Sequence, residues 1–65
     1  MLNLDSKLPL YQNIKTGHKY ELVGGCINRT NAQDGQRMIL YRRVGESELH
    51  CREITEFYGK FFEVE

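Results

Sequence analysis

The fold class of this chain follows from one stretch, Gln36-Arg37-Met38-Ile39-Leu40-Tyr41-Arg42-Arg43. Its β-branched, aromatic and long apolar residues run without interruption from a turn signal to the glycine corner at Val44-Gly45, which predicts a central strand. The four consecutive apolar residues of Met38–Tyr41 place apolar side chains on both faces of that strand. This pattern favours a strand curled into a small barrel over a strand with one fully wetted face.

Size and charge limit the classes of function. Sixty-five residues allow one domain, and a hydrophobic content of 40% argues against a disordered chain. Nine basic residues balance nine acidic ones, so no long-range field attracts nucleic acid or an anionic membrane. No apolar run approaches the roughly 18 residues of a membrane span, and the N-terminus lacks the pattern of a secretion signal. We therefore expect a cytoplasmic protein without a membrane partner.

The N-terminal part of the chain predicts an arm and two strands. Residues 1–8 keep no regular pattern and are predicted to form a flexible N-terminal arm, followed by a single domain over residues 9–65. Pro9 favours an extended conformation and places the start of the first strand at Leu10. A tight turn at Gly17 then leads into a second, alternating strand.

The second strand contains a pair of glycines and is predicted to end with Cys26 and Ile27, before a polar loop. Gly24-Gly25 within a strand predicts a bulge or a sharp bend. Asn28–Gly35 contains no large apolar residue and is the longest predicted loop. After the central strand, a hairpin turn leads to a short fourth strand, with Leu49 and Cys51 on one face and His50 and Arg52 on the other.

The spacing of the apolar residues changes from that of a strand to that of a helix near the C-terminus. Ile54, Phe57 and Tyr58 are spaced as one face of a helical turn, which Gly59 is expected to end. Residues 60–65 predict a last strand that pairs with the first and seals the barrel. Either Phe61 or Phe62 is expected to face inward. The order of elements predicts an all-β fold, a small five-stranded SH3-like barrel with one short 3₁₀ or α turn before the last strand.

A set of these residues also matches a family pattern. The matching residues are Tyr11, Lys15, Gly17, Tyr20–Gly24, Ile39–Arg42, Arg52 and Phe57. The set resembles the small bacterial and phage domain catalogued as domain of unknown function sixteen fifty-three, over residues 11–64. The chain departs from that pattern at Leu49 or His50, where the family has tryptophan, and at Glu53, where it has proline. The resemblance implies a stand-alone small barrel of phage or prophage origin.

No motif in the sequence predicts catalysis. The nucleophile elbow, the phosphate-binding glycine loop and the His-Glu-x-x-His zinc motif are all absent, so we expect no catalytic residue, no cofactor and no enzyme. Glu53 and Glu56 share a helical face, where exposed glutamates are usually solvated. His18, Cys26, His50 and Cys51 lack the close paired spacing of a structural zinc site, and no metal is predicted.

The arginines are the strongest indication of function, because the guanidinium fork binds carboxylates and phosphates and stacks on aromatic rings. If Arg42 and Arg52 project from one face, with Tyr41 or Tyr58 beside them, they form a basic and aromatic surface. The alternative is that each arginine pairs with a glutamate of the hairpin, such as Glu46, Glu48 or Glu53. The predicted partner-binding residues are Arg29, Arg37, Arg42, Arg52, Tyr41 and Tyr58.

The leading hypothesis is a small non-catalytic binding module that recognises a protein partner. It would use the Asn28–Gly35 loop and the neighbouring arginine and aromatic surface. The family resemblance implies a phage or prophage protein that acts on a host protein. The alternative hypothesis is a nucleic-acid-binding small β-barrel that uses the same arginine and tyrosine surface. A homodimer is left open.

Overall fold

A computed structural model of the protein describes residues 8–30 and 32–64. Residues 1–7 of the predicted arm, Asn31 and Glu65 lie outside the described residues. Five strands form a single antiparallel sheet in the order β4-β3-β2-β1-β5, and one short helix precedes the last strand. The elements are β1 (Leu10–Asn13), β2 (Lys19–Ile27), β3 (Arg37–Arg43), β4 (His50–Glu53), α1 (Ile54–Lys60) and β5 (Phe61–Val64). The prediction of a mostly β domain with one helical turn before the last strand is confirmed.

The turn between β1 and β2 is built around Asn13. Its side-chain Oδ1 accepts hydrogen bonds from the backbone N–H groups of Lys15, at 2.8 Å, and Thr16, at 2.9 Å. The Asn13 carbonyl accepts a further bond from the N–H of Gly17, at 2.8 Å. Gly17 has a φ of +79°, which costs glycine no steric energy, so the predicted tight turn forms at this position.

A bulge at Val23 bends the second strand. Leu22 lies opposite Tyr41 of β3, whereas Gly24 lies opposite Leu40, so one residue of β2 has no counterpart on β3. The predicted irregularity near the glycine pair is confirmed, and β2 continues through the glycines to Ile27, as predicted.

Glu53 caps the N-terminus of α1. Its carboxylate accepts hydrogen bonds from the backbone N–H groups of Thr55 and Glu56, both at 3.0 Å, and from the Thr55 hydroxyl, at 2.6 Å. The helix passes the predicted stop at Gly59 and ends at Lys60, because the N–H of Phe61 still bonds the helical carbonyl of Phe57.

Within the described residues, no helix is long and apolar enough to cross a membrane.

The core lies between α1 and one face of the sheet. Its buried residues are Tyr11, Ile39, Tyr41, Phe57 and Phe61. Phe57 is fully buried, and its ring stacks on that of Phe61 with a centroid distance of 4.5 Å. Phe61 is 3% exposed and Phe62 is 45% exposed, so the prediction that only one of them faces inward is confirmed.

The sheet does not close into a barrel within the described residues. β5 pairs with β1, as predicted, but β4 and β5 remain the two edges of the sheet. The expectation that β5 seals the barrel is therefore wrong for this part of the chain. The reason is that α1 joins the two edge strands and packs against β3, β4 and β5, so that a helix covers the core where strand pairing was expected.

Candidate functional site

A cleft of about 460 Å³ opens between the β1–β2 turn and the end of α1. The backbone N–H of Ile14 donates to the Lys60 carbonyl at 3.0 Å and fastens the turn to the helix. The cleft is lined by residues 13–16, Arg52, Gly59 and Lys60. Three of these residues are cations, so we name this site the cationic cleft.

Arg52 is the most firmly held of the three cations. Its Nε donates a hydrogen bond to the Tyr41 hydroxyl at 3.2 Å, and its guanidinium carbon lies 5.8 Å from the centre of the Phe61 ring. Nη1 lies 3.6 Å from a carboxylate oxygen of Glu56. Because the side chain is still one-third exposed, the pre-oriented fork keeps donors for a ligand in the cleft.

The charges that line the cleft are predominantly positive. Lys15 and Lys60 join Arg52 at the lining, and Glu56 offsets part of the charge of Arg52. The Arg52–Glu56 pair is exposed and contributes only about 0–1 kcal/mol, so an incoming carboxylate can compete with Glu56 for the guanidinium. The arrangement can bind an anionic group beside the apolar side chain of Ile14, which is 62% exposed.

The structure places Arg42 and Arg52 on opposite faces of the sheet. Arg52 lies opposite Ile39, on the core face, whereas Arg42 follows the buried Tyr41 and points the other way. Arg42 pairs with Glu21 across β2 and β3 at 2.8 Å, and not with a glutamate of the β3–β4 hairpin. The single surface on which Arg42 and Arg52 were expected to meet is therefore not formed.

Arg29 and Arg37 lie away from the cationic cleft. Arg29 belongs to the long polar loop and approaches Asp34 at 3.8 Å. The loop is held by its own polar groups, since the N–H of Thr30 bonds Oδ1 of Asn28 at 2.9 Å. Arg37 begins β3 opposite Ile27 and borders a smaller hollow of about 240 Å³.

The two predicted tyrosines differ in exposure. Tyr41 is 5% exposed and belongs to the core. Tyr58 is 50% exposed, and its ring lies 6.0 Å from that of Tyr11. Burial raises the pKa of the Tyr11 hydroxyl, and the neighbouring Tyr58 hydroxyl raises this pKa further.

Sequence reasoning missed Lys15 and Lys60. They are far apart in the chain and meet because Asn13, at the end of β1, lies opposite Phe61, at the start of β5. The proximity of Lys15 and Lys60 could have been predicted from the expected pairing of the first and last strands. This pairing brings the turn after β1 next to the residue that precedes β5.

Glu53, which caps α1, and Glu56, in its first turn, have separate structural roles. Hydrogen bonds from the Thr55 hydroxyl and from the backbone N–H groups of Thr55 and Glu56 hold the pKa of Glu53 below its usual range. Glu56 instead faces Arg52, whose Nη1 lies 3.6 Å from its carboxylate. Among the described residues, no three His, Cys, Asp or Glu side chains are grouped so that they could hold a metal ion.

Comparison with known proteins adds no relative. No family model matches the chain, and neither a curated protein nor a solved structure matches it.

Proposed function

We propose that this chain is a small non-catalytic binding module that recognises an acidic segment of a protein partner in the cationic cleft. The observation that carries the proposal is the convergence of Lys15, Arg52 and Lys60 on one cleft. Arg52 is already oriented by Tyr41, so less side-chain entropy is lost when a carboxylate binds. A guanidinium fork matches a carboxylate in both geometry and charge.

A peptide suits the cleft better than a nucleic-acid strand does. Proteins that bind single strands use a positive groove that follows several phosphates, together with aromatic platforms for the bases. Here Arg29 and Arg42 each face an acidic side chain of their own, outside the cleft. The exposed Ile14 at the cleft supplies apolar contact for a side chain next to the bound carboxylate.

We further propose that the domain has an SH3-like fold and is related to the family that the sequence resembles. The strand order β4-β3-β2-β1-β5 and the helix between β4 and β5 support an opened SH3-like arrangement. The resemblance to domain of unknown function sixteen fifty-three rests largely on residues that determine the fold, such as Tyr11, Tyr41 and Phe57 of the core. A phage or prophage setting with a host protein as partner follows from that resemblance. Two exposed free cysteines, Cys26 and Cys51, suit the reducing cytoplasm.

The experiment compares three fluorescein-labelled probes by anisotropy. One probe is a peptide rich in Glu and Leu, the second has Gln in place of Glu, and the third is a single-stranded oligonucleotide of equal length. The wild type is expected to bind the Glu peptide best. Lys15→Gln/Lys60→Gln should weaken this binding roughly two- to thirtyfold, because each of the two exposed charges contributes about 0.2–1 kcal/mol.

The matched control is Lys19→Gln, which removes an exposed lysine that does not line the cleft and should leave the affinity unchanged. Thermal melts of all variants separate lost binding from lost folding. Equal loss in the double variant and the control would contradict a site at the cleft. Tighter binding of the oligonucleotide than of the Glu peptide would favour nucleic acid instead.

A further inference from the structure

The sheet has a second face that no helix covers in the part of the chain that the structure describes. Side chains alternate along each strand, so the neighbours of core residues such as Tyr11 and Tyr41 point away from α1. We call this surface the open face. Its apolar side chains are Leu10, Met38, Leu40, Phe62 and Val64.

An ion pair lies on the inner strands of the open face. Glu21 of β2 lies directly opposite Arg42 of β3, and the two side chains are 2.8 Å apart. Leu10 flanks Glu21 on β1, and Leu40 precedes Arg42 on the same face of β3. Glu21 and Arg42 are 27% and 37% exposed, so both charges remain accessible from outside the sheet. The open face therefore presents one negative and one positive group side by side, with apolar side chains around them.

We propose that the open face is the interface of a symmetric homodimer, in which two copies of the chain stack face to face. The two-fold axis would run parallel to the strands, between the two stacked sheets and above the Glu21–Arg42 pair. It places Arg42 of one protomer over the partner's Glu21, and Glu21 of that protomer over the partner's Arg42. The charges of the face are thus complementary to the same face of a second copy. A second copy of the chain carries the matching charges automatically, whereas an unrelated protein would have to present the same arrangement of charges independently.

The size of the domain gives a second reason for self-association. Only five hydrophobic residues of the described chain are buried, all on the helix side of the sheet. A single core in a chain below about 70 residues rarely supplies more than about 3–5 kcal/mol, and oligomerisation is one way to bury further surface. Five short strands about 4.8 Å apart give a face of a few hundred Å², so the dimer is expected to be weak and reversible.

The two cysteines of the chain can be used to probe this interface. Cys26 lies opposite Met38 and Cys51 lies opposite Leu40, which puts both thiols on the open face. Both are free and exposed, and they are the only cysteines in the sequence. The rate of alkylation of each thiol therefore reports directly on whether the open face is covered.

The first test follows the oligomeric state and the alkylation rates from low micromolar to submillimolar protein. Sedimentation velocity should show a monomer that becomes a dimer, and iodoacetamide should modify both cysteines severalfold more slowly in the dimer. A monomer at every concentration would overturn the proposal. So would a dimer with unprotected thiols, which would place the contact elsewhere. Protection that does not depend on concentration would also overturn it, since a segment of the same chain would then cover the face.

The second test exchanges the charges between two proteins. Arg42→Glu and Glu21→Arg each place like charges across the two-fold axis, so each variant alone should dimerise at least tenfold more weakly than wild type. Mixed together, they restore both opposite-charge contacts and should form a heterodimer, detectable by native mass spectrometry. Arg29→Glu, in the loop away from the open face, is the control and should still form a homodimer. Folded variants that fail to form the heterodimer would overturn the proposal.

Discussion

The hydroxyl of Tyr41 accepts a hydrogen bond from Nε of Arg52 at 3.2 Å. Tyr41 is buried in the core, whereas Arg52 is one-third exposed at the cationic cleft. The bond therefore connects the packing of the core to the orientation of the cation that is best placed to bind a ligand. In the proposed function, Tyr41 is therefore a positioning residue that acts through Arg52.

Tyr41→Phe should weaken binding of the Glu peptide about two- to fivefold and reduce the free energy of unfolding by about 0.5–1.5 kcal/mol. The aromatic packing stays, but Arg52 loses the acceptor that orients it. Urea denaturation and anisotropy measure the two effects separately. Tyr20→Phe removes a tyrosine hydroxyl that makes no contact with Arg52 and serves as the control. If both variants bind like wild type, Tyr41 does not position Arg52.

Substitution of Gly17 and of Gly59 by alanine should change the free energy of unfolding with opposite signs. Gly17→Ala forces a left-handed φ of +79° on a residue with a Cβ and should lower the free energy of unfolding by about 1–2 kcal/mol. Gly59→Ala lies in α1, and its Cβ would meet no atom within 4 Å, so it should stabilise the fold by about 0.5–1 kcal/mol. Thermal melts of the pair check the signs. A stabilising Gly17→Ala would show that the turn can adopt another conformation.

The fold was largely predictable because its signals are local. Alternation, turn glycines and the helical spacing of Ile54, Phe57 and Tyr58 gave the five strands and the helix in their observed order. Closure was not predictable, since it depends on how α1 fills the space between β4 and β5. The same pattern of side chains fits an open sheet and a closed barrel.

The candidate site was less predictable, because it depends on register. The sequence shows that Arg42 and Arg52 lie on neighbouring strands, but a shift of one residue decides whether they share a face. Likewise, Lys15 and Lys60 meet only through the pairing of β1 with β5. The residue types alone identify the cations, but they do not show which cations lie close together in the fold.

The aromatic core should dominate the stability of the domain. Phe57→Ala removes a fully buried ring that stacks on Phe61, which costs about 3–5 kcal/mol. A domain of this size has about 3–10 kcal/mol in total, so this variant should lose a large part of its stability. Ile39→Val, at another buried position, should cost only about 0.5–1.5 kcal/mol and remain folded. A cooperative urea transition near the wild-type midpoint for Phe57→Ala would contradict the observed core.

The cap of α1 should make stability depend on pH in the acidic range. Folding lowers the pKa of Glu53 below its ordinary value of 4.5, through hydrogen bonds to Thr55 and to the N–H of Glu56. The charged cap therefore stabilises the folded state fully above that ordinary value, and this stabilisation is lost as the pH falls through the lowered pKa of the folded state. Glu53→Gln keeps an oxygen acceptor but no charge, so its difference in free energy of unfolding from wild type should shrink between neutral and strongly acidic pH. Glu48→Gln, which removes a carboxylate of the β3–β4 hairpin, gauges the general effect of one charge. A difference for Glu53→Gln that stays constant over the whole acid range would mean that the charge of the cap makes no contribution.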